Sequence, residues 1–156
     1  MLKIEYKFVH YEKNLSAKAK GEALHNEAYL LLDKMLSDVS ITNYEIKKTE
    51  FGKPYIENNP VYFSIAHTDG LVCCAVSTSE CGIDCEKIAP RDKIKEMSER
   101  YFTENEIKVI EKSGYSYEEF LRIWTCKESI GKRLGCGLIK AKNIKNRPTC
   151  IIAQTI

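Results

Sequence analysis

Residues 61–77 read VYFSIAHTDGLVCCAVS: two short apolar runs, Val61–Ala66 and Leu71–Ser77, separated by His67-Thr68-Asp69-Gly70. Short runs of β-branched and apolar residues suit strands. Asp-Gly between two such runs is a strong hairpin signal, because glycine takes a positive φ without steric penalty. The two runs are expected to pair antiparallel. Toward the amino end, Tyr44, Ile46 and Phe51 mark a further strand over 44–51, closed by the turn residues Gly52-Lys53-Pro54. Before it, Leu24, Ala28, Leu31, Leu32, Met35 and Leu36 share one face of a helix over 16–37. Met1–His10 alternates Leu2, Ile4, Tyr6 and Phe8 with polar residues, the period of a first strand. It has neither the basic head nor the continuous apolar run of a signal peptide.

Toward the carboxyl end, Cys81–Ile88 is a third run close behind the hairpin and is expected to extend the meander. Helices follow. Thr103 with Glu106 has the spacing of a capping box, and Ser116 with Glu119 repeats it ahead of Phe120, Leu121, Ile123, Trp124 and Ile130. The glycines between Gly131 and Gly137 permit the left-handed cap that ends this second helix. In the remaining segment Cys150, Ile151, Ile152 and Ala153 suit a last strand. At 156 residues, without tandem repeat or linker, the chain reads as one α+β domain of antiparallel sheets with packed helices.

A formal net charge of +2 does not mark a nucleic-acid binder, whose basic residues concentrate in a patch or stripe. The seven cysteines, at 73, 74, 81, 85, 126, 136 and 150, include no CxxC pair and no zinc-finger spacing. They read as reduced, buried thiols. No apolar stretch approaches the roughly 20 residues that cross a bilayer. A soluble, cytoplasmic protein without nucleic-acid or membrane partners is expected.

Three elements carry chemistry. Asp84 and Glu86, two apart on a predicted strand, project from one face, where their charges repel unless a cation lies between them. Hard oxygen ligands favour magnesium or calcium, and an ordinary solvated strand face is the plainer alternative. Trp124, Glu128 and Lys132, at spacings of four, lie along one helical ridge with Lys127 beside them. That pattern is either a surface ion pair or a metal-binding carboxylate sharing its site with an anion such as a pyrophosphate. His67, where a strand enters a turn, is placed to donate to a phosphate or is merely structural.

In order, Gly52-Lys53-Pro54, Phe63-Ser64-Ile65-Ala66-His67, Gly82-Ile83-Asp84-Cys85-Glu86, the run from Arg100 to Glu106, and Trp124-Thr125-Cys126-Lys127-Glu128-Ser129 resemble the 4'-phosphopantetheinyl transferase family of the Sfp type. The resemblance spans residues 52–137. It implies a pseudo-duplicated fold, with a first lobe to about residue 80 and a shortened second lobe over 81–156. It also implies a magnesium-dependent holo-[acyl-carrier-protein] synthase. Such an enzyme moves the 4'-phosphopantetheine of coenzyme A to a serine of an apo acyl or peptidyl carrier protein and releases 3',5'-ADP.

Carried over by position, Asp84, Glu86 and Glu128 match the magnesium-binding carboxylates and His67 matches a phosphate contact. Lys53 and Pro54 match a turn that contacts coenzyme A. Lys127 and Lys132 match lysines near the phosphates, with Lys132 a candidate for steadying the leaving group, and Glu106 matches an acidic residue near the metal site. Glu128, Glu106 or a water at the metal is left as the acceptor of the serine proton. Ala66 stands where the family often has serine, which removes one hydroxyl contact. Lys18 and Lys20 are the nearest candidates for the 3'-phosphate of coenzyme A. Arg91, Lys93, Lys95 and Arg100 are available to an acidic carrier, but the interleaved Asp92, Glu96 and Glu99 make this a mixed, solvated helix. Two alternatives compete with the enzyme: a non-catalytic coenzyme A-binding module and a divalent-cation-binding regulatory protein.

Overall fold

The expected hairpin forms the centre of a three-stranded sheet. In the computed structural model, which describes residues 1–12, 14–142 and 151–155, β4 (Tyr62–Thr68) and β5 (Leu71–Ser77) pair antiparallel, with Thr68 opposite Leu71 across Asp69-Gly70. Gly70 takes φ +80°, as the turn requires. β1 (Leu2–Phe8) joins the far side of β5, from Leu2 opposite Ser77 to Phe8 opposite Leu71, so the sheet order is β1-β5-β4. α1 (Ala17–Ser37) crosses one face, its start capped by the Ser16 hydroxyl accepting from the Ala19 amide.

The strand expected over 44–51 is shorter and belongs to a hairpin of its own. β2 (Ile46–Lys48) pairs with β3 (Pro54–Ile56) around a turn in which Gly52 has φ +82°. Proline is tolerated at the first position of a strand, where a missing N–H does the least harm.

β6 (Ile83–Lys87) departs from the expectation that it extends the meander. It pairs in parallel with β7 (Ile151–Thr155), Ile83 opposite Ile151, in a separate two-stranded sheet. Cys150, included in the expected last strand, lies outside the described residues. β6 is held beside β4 by side chains instead of a backbone ladder: the Ile83 amide donates to Ser64 Oγ at 3.1 Å and the Lys87 amide to Thr68 Oγ1 at 3.2 Å. Hydrophobicity alone cannot distinguish this arrangement from a fourth meander strand, because both bury the same residues.

The helices follow as α2 (Ile94–Tyr101), α3 (Glu104–Lys112), α4 (Tyr117–Leu134) and α5 (Gly137–Ala141). The Thr103–Glu106 capping box is complete. At α4 the Ser116 hydroxyl accepts from the Glu119 amide, but the Glu119 carboxylate turns to Arg122 at 2.5 Å, so only half of the second box forms. Gly135, at φ +65°, ends α4.

Three apolar clusters result. α1 packs Leu32, Met35 and Leu36 against Phe63, Val72, Cys74 and Val76. On the opposite sheet face Leu71, Cys73 and Ala75 meet Ile83 and Cys85 of β6. Ile94, Phe102, Ile110, Phe120, Leu121 and Ile123 join α2, α3 and α4. Burial raises the Cys74 thiol to about 12 and the Cys81 thiol to about 11, which leaves both unreactive.

β1 inverts the usual rule. Its apolar positions Leu2, Ile4, Tyr6 and Phe8 are 51, 41, 64 and 56% exposed. Lys3, Glu5 and Lys7, on the alternate face, meet α1 and its end through Lys3–Asp38 and Lys34–Glu5 at 2.5 Å and Lys7–Glu27 at 2.6 Å. Among the described residues no helix is long and apolar enough to cross a membrane.

Candidate active site

The site lies where β6 runs beneath α4, and Gly82 sets how closely they approach. A Cβ at this position would stand 2.0 Å from the Ser129 carbonyl oxygen and 2.7 Å from the Arg133 nitrogen, both α4 backbone. No L side chain fits there. The period of the strand then turns Ile83 and Cys85 into the core and sends Asp84 and Glu86 to the α4 side. From α4, the ridge Trp124, Glu128, Lys132 comes to meet them.

Lys132 Nζ donates to Asp84 Oδ1 at 2.7 Å. The other Asp84 oxygen, Oδ2, is buried without a hydrogen-bond partner, and Asp84 as a whole is only 6% exposed. Glu86 is held by Arg91, Nη2 to Oε2 at 2.5 Å, and accepts from Trp124. Burial raises the carboxyl of Asp84 above its ordinary value despite Lys132, and raises that of Glu86 despite Arg91, with Asp84 adding to the effect on Glu86. Glu128 is raised by burial, then by Asp84 and, more weakly, Glu86, with Lys132 opposing. The three carboxylates thus share one electrostatic neighbourhood.

A divalent ion suits this donor set. An acidic oxygen buried without a donor, beside two further carboxylates that disfavour one another's charge, is the environment that a hard cation relieves. Among the described residues, however, no three acidic, histidine or cysteine side chains stand close enough to hold one ion as placed. Lys132 and Arg91 each draw one carboxylate to themselves.

Glu128 and Lys132 also line a cavity of about 280 Å³ whose other walls include Lys53, Pro54, Phe63 and Ile65. A second cavity of about 400 Å³ adjoins it, sharing Phe51, Lys53, Pro54, Phe63 and Gly135 and adding Tyr55 and Tyr62. Lys53 reaches across to donate to the Arg133 carbonyl, so the β2–β3 turn is tied to the end of α4. His67 sits on β4 with its surface exposed, yet partial burial lowers its imidazole below the ordinary value, with Lys132 and then His25 adding to the effect. Lys18 is 3.8 Å from Glu22, and Lys20 lies 5.4 Å from the Tyr11 ring centroid, both on the first turn of α1.

Two expected members stand apart. Lys127 is buried, 2.9 Å from Glu106, and lies over the Phe102 ring at 6.0 Å. Glu106 in turn accepts from the Thr103 amide at 2.7 Å. Neither residue lines the cavity; together they join α3 to α4. Glu106→Gln should therefore cost about 2–3 kcal/mol in urea unfolding, because it leaves the Lys127 ammonium buried without its counter-charge. Lys127→Met in the same background should recover most of that loss, and a Gln variant as stable as the native chain would show that the pair contributes nothing.

Gly82 was visible in its motif, and a glycine opening a strand is a signal of close backbone approach. Arg91 lies ahead of α2, outside the mixed, solvated helix expected there, and its hold on Glu86 depends on the fold of residues 88–93 and has no sequence period.

Residues 80–154 match the model of the 4'-phosphopantetheinyl transferase superfamily. Among curated proteins, 4'-phosphopantetheinyl transferase gsp of Aneurinibacillus migulanus is 38% identical over 114 residues, 70% of this chain and 47% of the relative. 4'-Phosphopantetheinyl transferase Sfp of Bacillus subtilis (strain 168) is 31% identical over 119 residues, 70% of this chain and 52% of the relative. 4'-Phosphopantetheinyl transferase HetI of a Nostoc species is 30% identical over 101 residues, 60% of this chain and 43% of the relative. The chain spans about half the length of the curated relatives it matches. The matched region holds β6 and α4, and therefore every carboxylate of the site, so it is in its candidate chemistry that the chain is similar to the 4'-phosphopantetheinyl transferase superfamily.

Proposed function

We propose that the chain transfers the 4'-phosphopantetheine of coenzyme A to a serine of an apo acyl or peptidyl carrier protein, with magnesium, and releases 3',5'-ADP. The observation that carries this reading is Asp84, held by Lys132 with its other oxygen buried and unpartnered, in one electrostatic neighbourhood with Glu86 and Glu128. The reading takes the chain as one domain whose halves, to about residue 80 and from 81 onward, face each other across the cleft. A reducing, cytoplasmic setting suits the free thiols of Cys73, Cys74, Cys81, Cys85 and Cys136.

Asp84, Glu86 and Glu128 would hold the magnesium, which when bound neutralises charge on the coenzyme A diphosphate. Lys132 would release Asp84 and turn to the departing phosphate, with His67 donating to a neighbouring phosphate oxygen. Lys53 and Pro54 would border the cofactor, and the two adjoining cavities give length for an elongated ligand. As the carrier serine oxygen bonds to the β-phosphorus, the bond from that phosphorus to the 3',5'-ADP oxygen breaks. Glu128, raised by burial and by Asp84, is the best-placed acceptor for the serine proton. Glu106 and Lys127 act one step back, by fixing α4 against α3.

The test is intact-mass analysis of apo carrier proteins incubated with the purified chain, magnesium and coenzyme A. The expected result is a mass gain of one phosphopantetheine. No gain on carriers that another transferase of the superfamily does convert would overturn the reading.

A further inference from the structure

Arg91 leaves β6 by way of Ile88-Ala89-Pro90 and folds back on Glu86, five residues earlier. Its guanidinium is partly in solvent, at 42% side-chain exposure, while the Glu86 side chain is at 22%. Glu86 is fixed from two directions, by Arg91 and by Trp124. The inner carboxylate, Asp84, has a cation on one oxygen only. Around three carboxylates the chain therefore places two cations in contact, Arg91 on Glu86 and Lys132 on Asp84, and Glu128 carries no ion pair among the described residues.

For three such side chains to share one hard cation, Glu86 must offer it an oxygen, and one of its two is held by Arg91. An arginine fork is a strong carboxylate partner and never gives up its proton, so it competes with a metal ion at every ordinary pH. We propose that Arg91 is a positioning residue that competes with a divalent cation for Glu86, and that this contest sets the affinity of the carboxylate site for the ion. The inference rests on the carboxylate-site reading of the preceding subsection.

The probe is Mn²⁺, titrated into the full chain at low ionic strength and followed by calorimetry, with free Mn²⁺ counted by electron paramagnetic resonance. Native chain should bind one Mn²⁺ at this site, and Arg91→Gln should bind it roughly three- to tenfold more tightly, the range of a partly exposed ion pair. Arg91→Lys should lie between the two. Lys93→Gln, which removes a nearby charge not paired with Glu86, should change affinity far less, and this separates competition from a general field effect. In a Glu86→Gln background, Arg91→Gln should have no further influence.

Equal or weaker Mn²⁺ binding by Arg91→Gln would overturn the inference, and weaker binding would make Arg91 a support that orients Glu86. An equal gain from Lys93→Gln would overturn it as well. Absence of Mn²⁺ binding by the native chain would remove the carboxylate site itself, and the inference with it.

Discussion

Gly82→Ala should unfold at a much lower urea midpoint than the native chain, with a loss of about 3–5 kcal/mol, and should lose whatever activity the site has. The methyl would enter the backbone of α4, at 2.0 Å from the Ser129 oxygen and 2.7 Å from the Arg133 nitrogen. Backbone atoms cannot rotate away as a side-chain end can, so β6 and α4 must separate along their length. Overpacking a tight contact costs about 1–3 kcal/mol when side chains can adjust. Here they cannot, and losses above about 4 kcal/mol belong to this class of defect. The same separation would move Asp84 away from Lys132 and Glu128, so stability and site are lost together. Gly21→Ala provides the control: a Cβ there meets nothing within 4 Å, and alanine in a helix is favoured over glycine by about 0.5–1 kcal/mol. A Gly82→Ala chain of native stability would refute the close packing of β6 on α4.

Asp84→Asn should produce the opposite separation of effects, with function lost and the fold kept. Asparagine has the same shape but no charge, so the proposed central anchor for a hard cation disappears and the proposed phosphopantetheine transfer should fall at least about a hundredfold. Stability should hold or rise. Burial raises the Asp84 carboxyl in the folded chain. Between its ordinary value and that raised value the folded state binds more protons than the unfolded state, so stability falls as pH rises through the window. Above the window the buried charge is a full cost, and asparagine removes it. The advantage of the variant should accordingly shrink as pH is lowered toward the ordinary carboxylate range, although Lys132 loses its partner and offsets part of the gain. Urea midpoints at neutral and mildly acidic pH measure this; transfer at near-native rate by the variant would sink the assigned site.

The sequence disclosed those parts of the molecule that depend on period and punctuation. Asp69-Gly70 between two apolar runs announced the β4–β5 hairpin, Leu24 to Leu36 announced α1, and Thr103 with Glu106 announced the start of α3. Asp84 with Glu86 and Glu128 with Lys132 were legible as same-face pairs, because spacings of two on a strand and four on a helix fix direction. What stayed hidden depends on contacts between distant segments. The hydroxyls of Ser64 and Thr68 take the amides of β6 and carry it out of the meander, and nothing within residues 81–88 encodes that. Lys127 and Lys132 look equivalent beside Glu128, yet a 100° step around α4 separates neighbours from ridge-mates. Lys127 consequently ends in the α3–α4 contact with Glu106, and Lys132 on Asp84.

β1 leaves the protein with an adhesive margin. Its outer backbone groups have no ladder partner among the described residues, and a stripe of aliphatic and aromatic side chains flanks them in water. Such a border recruits further strands and does so more strongly as concentration rises, since every added copy offers the same border again. Lys3 and Lys7 line the reverse side of the strand, and charged side chains on an edge strand blunt this tendency even where, as here, each is paired with an acid. The balance between a sticky stripe and its charged backing therefore governs how concentrated, and how salty, a solution of this chain can become before it ceases to be monodisperse.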